Sequence, residues 1–102
     1  MIKHSLFVRL EAKPGKEEEV AAFLQAGLRM AREEATTPIW FALRLAPGTF
    51  AVFDAFHDQQ GVDNHLAGPI AKALMAKADE LFAQPPSIQR VEVLGLKNDG
   101  SN

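Results

Sequence analysis

Cysteine and tyrosine are absent from this sequence of 102 residues. Without cysteine the chain has no disulfide, no thiolate nucleophile, no iron–sulfur cluster and no cysteine-ligated zinc site, and without tyrosine it has no phenol to act as an acid. No hydrophobic run approaches the roughly 20 residues of a membrane span, and no signal-peptide core opens the chain. We therefore expect a cytoplasmic protein with no membrane partner.

Positive charge is also not concentrated in any one place. Eleven Lys and Arg stand against thirteen Asp and Glu, which gives a formal charge of −2, and no basic cluster is present. The electrostatic footprint of a nucleic-acid binder is therefore missing, and nucleic acid is not an expected partner.

Recognisable metal and cofactor motifs are missing as well. The three histidines are His4, His57 and His65, and no two have the i, i+4 spacing of a helical zinc site. No glycine-rich dinucleotide or phosphate loop follows a strand. The sequence therefore predicts no metal site and no cofactor.

The composition is that of one globular domain. Hydrophobic residues make up 47% and charged residues 24% of the chain, and a chain of this length normally builds one core. We predict a single domain over residues 1–96 and a loose polar tail over residues 97–102.

The hydrophobic periodicity predicts the element order β-α-β-β-α-β. Period-2 alternation indicates strands, and apolar residues spaced three and four apart indicate helices. The predicted strands cover residues 2–10, 39–46, 49–57 and 87–96; the helices cover residues 16–33 and a stretch from Gly68-Pro69 to Pro85-Pro86, with a short helical turn over residues 62–66 capped by Asp58. This order is the ferredoxin-like α+β fold, in which two helices cover one face of a four-stranded antiparallel sheet.

The other face of the predicted sheet needs a cover of its own. In the first three strands both alternating sets are largely apolar, and they include Phe7, Trp40 and Phe53 as well as Leu6, Phe41 and Phe56. Exposed apolar patches of this size usually mark an interface. We therefore predict a homodimer that forms through the sheet and leaves a dry pocket between sheet and helices.

Two polar residues are candidates for chemistry. His65 precedes Gly68-Pro69 at a helix junction, where an imidazole is suited to proton transfer near neutral pH or, alternatively, to capping a helix end. Asp54 lies in an otherwise apolar strand, where a carboxylate needs a partner. It is either an acid or orienting group at the pocket or half of an ion pair with Arg44 across the hairpin. The aromatic residues Trp40 and Phe53 either stack a ligand or belong to the core.

These residues, in their order and spacing, resemble the antibiotic biosynthesis monooxygenase family and its quinol monooxygenase members. The likeness spans residues 2–96. The motifs that carry it are Ala12-Lys13-Pro14-Gly15-Lys16-Glu17-Glu18-Glu19-Val20, Trp40, Phe50-Ala51-Val52-Phe53-Asp54-Ala55-Phe56 and Asn64-His65-Leu66.

The resemblance implies a homodimer of ferredoxin-like subunits that oxygenates phenol- or quinol-like molecules with dioxygen and without metal or flavin. It implies that His65 is the base, that Trp40 and Phe53 line the pocket, that Asp54 occupies an acidic position, and that Asn64 contacts the substrate. Haem-degrading relatives of the same fold use a strand-one asparagine, which the first ten residues lack, so haem is not expected.

Two other functions remain open from the sequence. A non-catalytic dimeric module of the same fold would bind a small molecule or regulate a partner, and its apolar residues would then be core. An enzyme of related architecture would use the same histidine for isomerisation or lactone chemistry.

Overall fold

A computed structural model describes residues 2–97 of the chain. Within this range the elements are β1 (His4–Glu11), α1 (Glu17–Arg32), β2 (Ile39–Ala46), β3 (Thr49–Phe56), α2 (Gln59–Leu66), α3 (Pro69–Leu81) and β4 (Ser87–Glu92). The predicted order is confirmed, and the predicted helical turn is an eight-residue helix. The last strand ends at residue 92, four residues earlier than predicted, and residues 98–102 of the predicted tail lie outside the described residues.

The four strands form one antiparallel sheet in the order β2-β3-β1-β4. The ferredoxin-like α+β prediction is therefore confirmed. The register places Asp54 of β3 opposite Leu6 on one side and opposite Trp40 on the other. Three side chains on neighbouring strands thus share the same face at the middle of the sheet.

Local chemistry explains where each helix begins. Gly15 has a φ of +85°, which glycine adopts freely, and it turns the chain into α1. Three glutamates occupy the first turn of α1, where the helix dipole favours negative charge. The Asp58 side chain accepts a hydrogen bond from the Gly61 amide at 2.9 Å and caps α2, as predicted. None of the helices within residues 2–97 is long and apolar enough to cross a membrane.

The helices cover one face of the sheet and form the main core with it. Alternate residues of β1 and β3 meet the apolar stripes of α1 and the end of α3, and this packing supplies most of the hydrophobic stabilisation. The core residues are Val8, Leu10, Val20, Leu24, Phe50, Val52, Leu81 and Phe82. A smaller cluster of Leu6, Phe56 and Val62 joins α2 to the sheet.

The opposite face of the sheet carries aromatic and aliphatic side chains. Phe41 of β2 is 55% exposed, Leu43 is also exposed, and Phe7 and Phe53 are half-buried. The Phe41 and Phe53 rings lie 6.5 Å apart, centroid to centroid. The prediction that both faces of the sheet are apolar is thus confirmed for β2 and β3, whereas in β1 the uncovered face carries Ser5 and Arg9 beside Phe7.

Candidate functional site

A cavity of about 180 Å³ lies between the helix-covered face of the sheet and the helices. Its walls are almost entirely apolar, and they come from β1, β2, β3, β4, α1, α2 and α3. The lining residues are Leu6, Val8, Phe23, Leu24, Ala26, Gly27, Met30, Trp40, Val52, Asp54, His65, Leu66, Ile70, Ala71, Leu74, Met75 and Ile88. A small apolar pocket with few polar groups is the usual form of a small-molecule site.

Three of the lining side chains carry nitrogen or oxygen: Trp40, Asp54 and His65. Asp54 is fully buried, and within the described residues 2–97 its Oδ1 atom has no hydrogen-bond partner. The indole Nε1 of Trp40 is likewise buried without a partner. A buried donor and a buried acceptor without partners are costly in a folded protein. Both therefore mark places where a ligand group or a water can bind.

His65 lies between two carboxylates. Its Nε2 atom is 2.9 Å from Asp54 Oδ2, a close ion-pair contact without the angles of a good hydrogen bond. Its Nδ1 atom is hydrogen-bonded to Glu34 Oε1 at 2.7 Å. Because each ring nitrogen faces an anionic oxygen, the doubly protonated imidazolium satisfies both contacts, whereas a neutral ring would set a lone pair against one of them.

The pKa of His65 reflects this arrangement. Burial of the ring, which is 6% exposed, would lower the pKa by itself. Asp54 and then Glu34 favour the charged ring and raise the pKa from 6.5 to about 8. The ring is therefore mostly protonated at neutral pH. Asp54, His65 and Glu34 form an acid–histidine cluster that carries a net charge of −1 when both carboxylates are ionised.

Close packing of α2 holds the histidine in place. A Cβ atom on Gly61 would lie 2.9 Å from the carbonyl oxygen of Thr36, so only glycine allows α2 to approach the connection between α1 and β2 so closely. Glu34 lies in that connection. The Phe56 ring lies 5.4 Å from the imidazole ring, centroid to centroid, and is a further neighbour of the histidine.

The structure brings three of the five predicted site residues together. Trp40, Asp54 and His65 line one cavity. Phe53 does not, and the prediction that it forms a wall of this pocket is wrong. Successive residues of a strand face opposite sides, so Phe53 lies on the uncovered face when Asp54 lies under the helices.

Asn64 also lies outside the cavity. Its exposed side chain accepts a hydrogen bond from Gln60 and donates one to Thr36 on the outer side of α2. The expectation that Asn64 contacts a ligand in this pocket is therefore corrected: His65 and Leu66 form the side of α2 that faces the cavity, and Asn64 lies on the other side of the helix.

The side chains that pair with Asp54 and His65 differ from those predicted from the sequence. Arg44 is not the partner of Asp54: the register places it opposite Phe50, and its guanidinium pairs with Glu18 at 3.0 Å. Glu34 was missed altogether. It lies outside any periodic pattern, 31 positions before His65, so only the fold brings the two together.

Within residues 2–97, no group of three or more His, Cys, Asp or Glu side chains has an arrangement that could hold a metal ion. In the acid–histidine cluster both imidazole nitrogens are already engaged by carboxylates. The cluster is therefore built to share protons rather than to present a nitrogen lone pair.

Comparison with solved structures gives the relationships of this chain. The NE2512 protein of Nitrosomonas europaea, described as a protein of unknown function, is 51% identical, with a TM-score of 0.95 over 99% of this chain and 98% of that chain. The chain belongs to the same family as NE2512. No family model and no curated protein matches the sequence.

More distant structures share the fold. One described as an antibiotic biosynthesis monooxygenase is 15% identical, with a TM-score of 0.76 over 90% of this chain and 99% of that chain. The structure of Rv0793 from Mycobacterium tuberculosis is 18% identical, with a TM-score of 0.76 over 97% of this chain and 99% of that chain. The predicted resemblance to the antibiotic biosynthesis monooxygenases is therefore confirmed at the level of the fold.

Proposed function

We propose that this protein is a monooxygenase that acts on a small phenol- or quinol-type molecule inside the cavity, with the substrate itself as reductant. One observation carries the proposal: an apolar cavity of about 180 Å³ is lined by Asp54, whose Oδ1 atom is a buried acceptor, and by Trp40, whose Nε1 is a buried donor, and neither atom has a hydrogen-bond partner among residues 2–97. An apolar cavity of about 150 Å³ is large enough for benzene. The volume therefore suits a single ring.

Asp54 is the proposed proton acceptor. Its Oδ1 atom is unpaired, while its Oδ2 atom lies against the His65 ring. The resemblance gives the role of base to His65 itself, but both nitrogens of that ring are engaged by carboxylates. We assign the first proton transfer to Asp54 and the stabilisation of the resulting ligand anion to the positive charge of His65.

The chemistry balances without an added reductant. A quinol that has lost its O–H proton donates electrons to dioxygen, one oxygen atom enters the ring, and the other leaves as water. A hydroquinone and one dioxygen thus give a hydroxyquinone and one water. The protein has to orient the ring, exclude bulk water and move the proton, and an apolar cavity with one carboxylate supports all three tasks.

The charge of the site selects for neutral ligands. No Lys or Arg is among the residues that line the cavity, and the acid–histidine cluster carries a net negative charge. The positive charge of His65 is already neutralised by Asp54 and Glu34, so a ligand carboxylate would lose its hydration without an unpaired cation to replace it. A phenol should therefore bind at least tenfold more tightly than a benzoate of the same size.

Oxygen consumption with a panel of single-ring quinols and phenols tests the proposal. We expect turnover by the wild-type protein and a loss of at least a hundredfold in kcat for Asp54→Asn, which keeps the shape but not the basicity of the side chain. Asp79→Asn removes an exposed carboxylate of α3 outside the cavity and should change kcat less than twofold.

Trp40→Phe gives a second, independent readout. It removes the indole N–H from the cavity wall and should raise KM more than it lowers kcat. Binding of phenols without any oxygen consumption would contradict the monooxygenase proposal and would support the non-catalytic binding module instead.

We further propose that two copies pack through the uncovered face of the sheet. Exposed Phe41 and Leu43, next to the half-buried Phe7 and Phe53, support a self-complementary apolar interface. Sedimentation equilibrium tests it with Phe41→Arg, which should weaken the dimer at least tenfold. The matched control is Leu28→Arg on α1, where Leu28 is 39% exposed. A monomeric wild-type protein would contradict the proposal.

A further inference from the structure

Glu34 connects the acid–histidine cluster with the protein surface. It lies between α1 and β2, its side chain is 13% exposed, and its Oε1 atom is bonded to His65 Nδ1 at 2.7 Å. The same oxygen accepts a hydrogen bond from the Thr37 hydroxyl at 2.9 Å. Glu34 Oε2 is buried and has no hydrogen-bond partner among residues 2–97. A carboxylate that served only as a structural counter-ion would gain by pairing this second oxygen.

The two ends of the cluster lie in different spaces. Asp54 and His65 line the cavity, whereas Glu34 lines a separate surface cleft with Arg29, Glu33 and Pro69. Met30 lines both spaces. The chain of contacts Asp54–His65–Glu34 therefore runs from a space with apolar walls to a space with charged, exposed residues.

We propose that Glu34, His65 and Asp54 form a proton path between the cavity and solvent in the surface cleft. The proposal rests on the proposed function, because it serves a ligand that gives up an O–H proton in the cavity. A sealed apolar site otherwise has to open whenever a proton enters or leaves, and opening would admit water.

Two linked transfers make up the outward step. The ligand O–H proton goes to Asp54 Oδ1, and the His65 Nδ1 proton goes to Glu34 Oε1 and then to water in the cleft. The ring keeps its Nε2 proton against Asp54 Oδ2. In the inward step Asp54 gives its proton to the reduced oxygen in the cavity, and His65 regains an Nδ1 proton from water in the cleft through Glu34. The protein neither gains nor loses a proton overall.

The electrostatics couple the two transfers. Asp54 from β3 and Glu34 from the connection between α1 and β2 are the charged groups in contact with the imidazole, and Arg29 and Glu33 flank the cleft. Asp54 has the stronger favourable influence on the charged ring. When Asp54 takes a proton, this influence disappears, and His65 releases its Nδ1 proton more readily to Glu34.

The test measures exchange of the His65 Nδ1 proton with water by NMR in the ligand-free protein at pH 5.5. Glu34→Gln keeps a hydrogen-bond acceptor at Nδ1 but cannot take up the proton. We expect exchange at least tenfold slower than in the wild type. A purely structural Glu34 predicts the opposite sign, because losing a carboxylate makes the imidazolium more acidic and speeds its exchange. Unchanged or faster exchange would overturn the proposal.

Two variants complete the experiment. Glu33→Gln changes an exposed carboxylate of the same cleft that makes no contact with His65, and it should leave the exchange rate within twofold of the wild type. Glu34→Asp should restore part of the rate. Because exchange is measured without turnover, slow exchange in Glu34→Gln with no oxygenation of any quinol would refute the proposed function alone, whereas oxygenation with unaltered exchange would refute the proton path alone.

Discussion

The two faces of the sheet are built from the same strands and contain nearly the same kinds of apolar residue, yet they differ in their polar atoms. On the helix-covered face, Asp54 Oδ1 and Trp40 Nε1 interrupt the apolar surface as buried atoms without a hydrogen-bond partner among residues 2–97. On the uncovered face, Phe41 and Phe53 lie in a surface with no buried carboxylate. This difference supports the two proposals made above, that the first face holds a ligand with polar groups and that the second packs against another copy of the chain.

Apolar residues mark the surfaces of the sheet that are removed from water on both faces. Buried polar residues among them distinguish a candidate site from a surface that is only packed. Burying Asp54 without a ligand or a cation costs free energy that a Val at the same position would not. The cost is partly offset by His65, which in turn needs Glu34. Buried titratable groups that depend on one another in this way are frequent at functional sites, which supports the proposed function of this face.

The largest difference between the faces is expected in stability. Phe56, on the covered face, is fully buried, and Phe56→Ala should lower the free energy of unfolding by about 3–5 kcal/mol because it leaves a cavity. Phe41→Ala, on the other face, should cost less than about 1 kcal/mol in the isolated subunit, since that ring is more than half exposed. Urea unfolding at several protein concentrations separates the two. If the two variants lost the same free energy of unfolding at every protein concentration, the predicted difference between the two faces would be contradicted.

A smaller effect concerns pH and belongs to the covered face alone. The pKa of His65 is raised to about 8 in the folded chain from 6.5, so its stabilisation is fully present below pH 6.5 and is lost as the pH rises through 8. The loss should amount to about 1–2 kcal/mol between pH 6 and pH 9. Thermal or urea unfolding across this range measures it.

His65→Gln is the matched variant for the pH measurement. It keeps a polar side chain of similar size in the cluster but cannot titrate, so the decline in stability between pH 6 and pH 9 should disappear. A wild-type stability that rises with pH in this window, or a decline that persists in the variant, would show that another group is responsible.

The sequence was sufficient for the fold because the fold depends on local periodicity. Alternation over β1 and the stripe of α1 each depend on residues close together in the chain. The site was only partly predictable. Asp54 stands out as a polar residue among apolar ones, His65 by its place before Gly68-Pro69 at a helix junction, and Trp40 as an aromatic residue in a strand. Glu34 follows Arg32 and Glu33 in a polar stretch and has no pattern of its own.

Both wrong site predictions concern a residue that is adjacent in the chain to one lining the cavity. Phe53 was assigned to the pocket on residue type although its neighbour Asp54 is on the other face, and a sheet places successive residues on opposite sides. The resemblance implies that Asn64 contacts the substrate, but the cavity-facing side of α2 carries His65 and Leu66, and Asn64 lies on the other side of the helix. The period of a strand separates Phe53 from Asp54, whereas the period of the helix alone does not say whether Asn64 or Leu66 shares the cavity with His65.

The smallest expected effect tests the remaining error, the predicted pairing of Arg44 with Asp54. In the structure Arg44 lies near the edge of the sheet, with its guanidinium carbon 4.8 Å from the Phe50 ring centroid and an ion pair to exposed Glu18. Exposed pairs of this kind contribute little, so Arg44→Ala should cost less than about 1 kcal/mol and leave the pKa of His65 unchanged.

Glu18→Ala provides the matched change on the other side of the same pair. It should cost no more than Arg44→Ala, and the double variant should show a coupling of less than about 0.5 kcal/mol. Had Arg44 been the counter-ion of a fully buried Asp54, its removal would cost about 3–5 kcal/mol and would change the His65 titration followed by NMR. A large loss of free energy of unfolding or a changed His65 titration would therefore mean that Arg44 interacts with the buried charges of the covered face. The small loss expected here means that these charges interact only within the group of Asp54, His65 and Glu34.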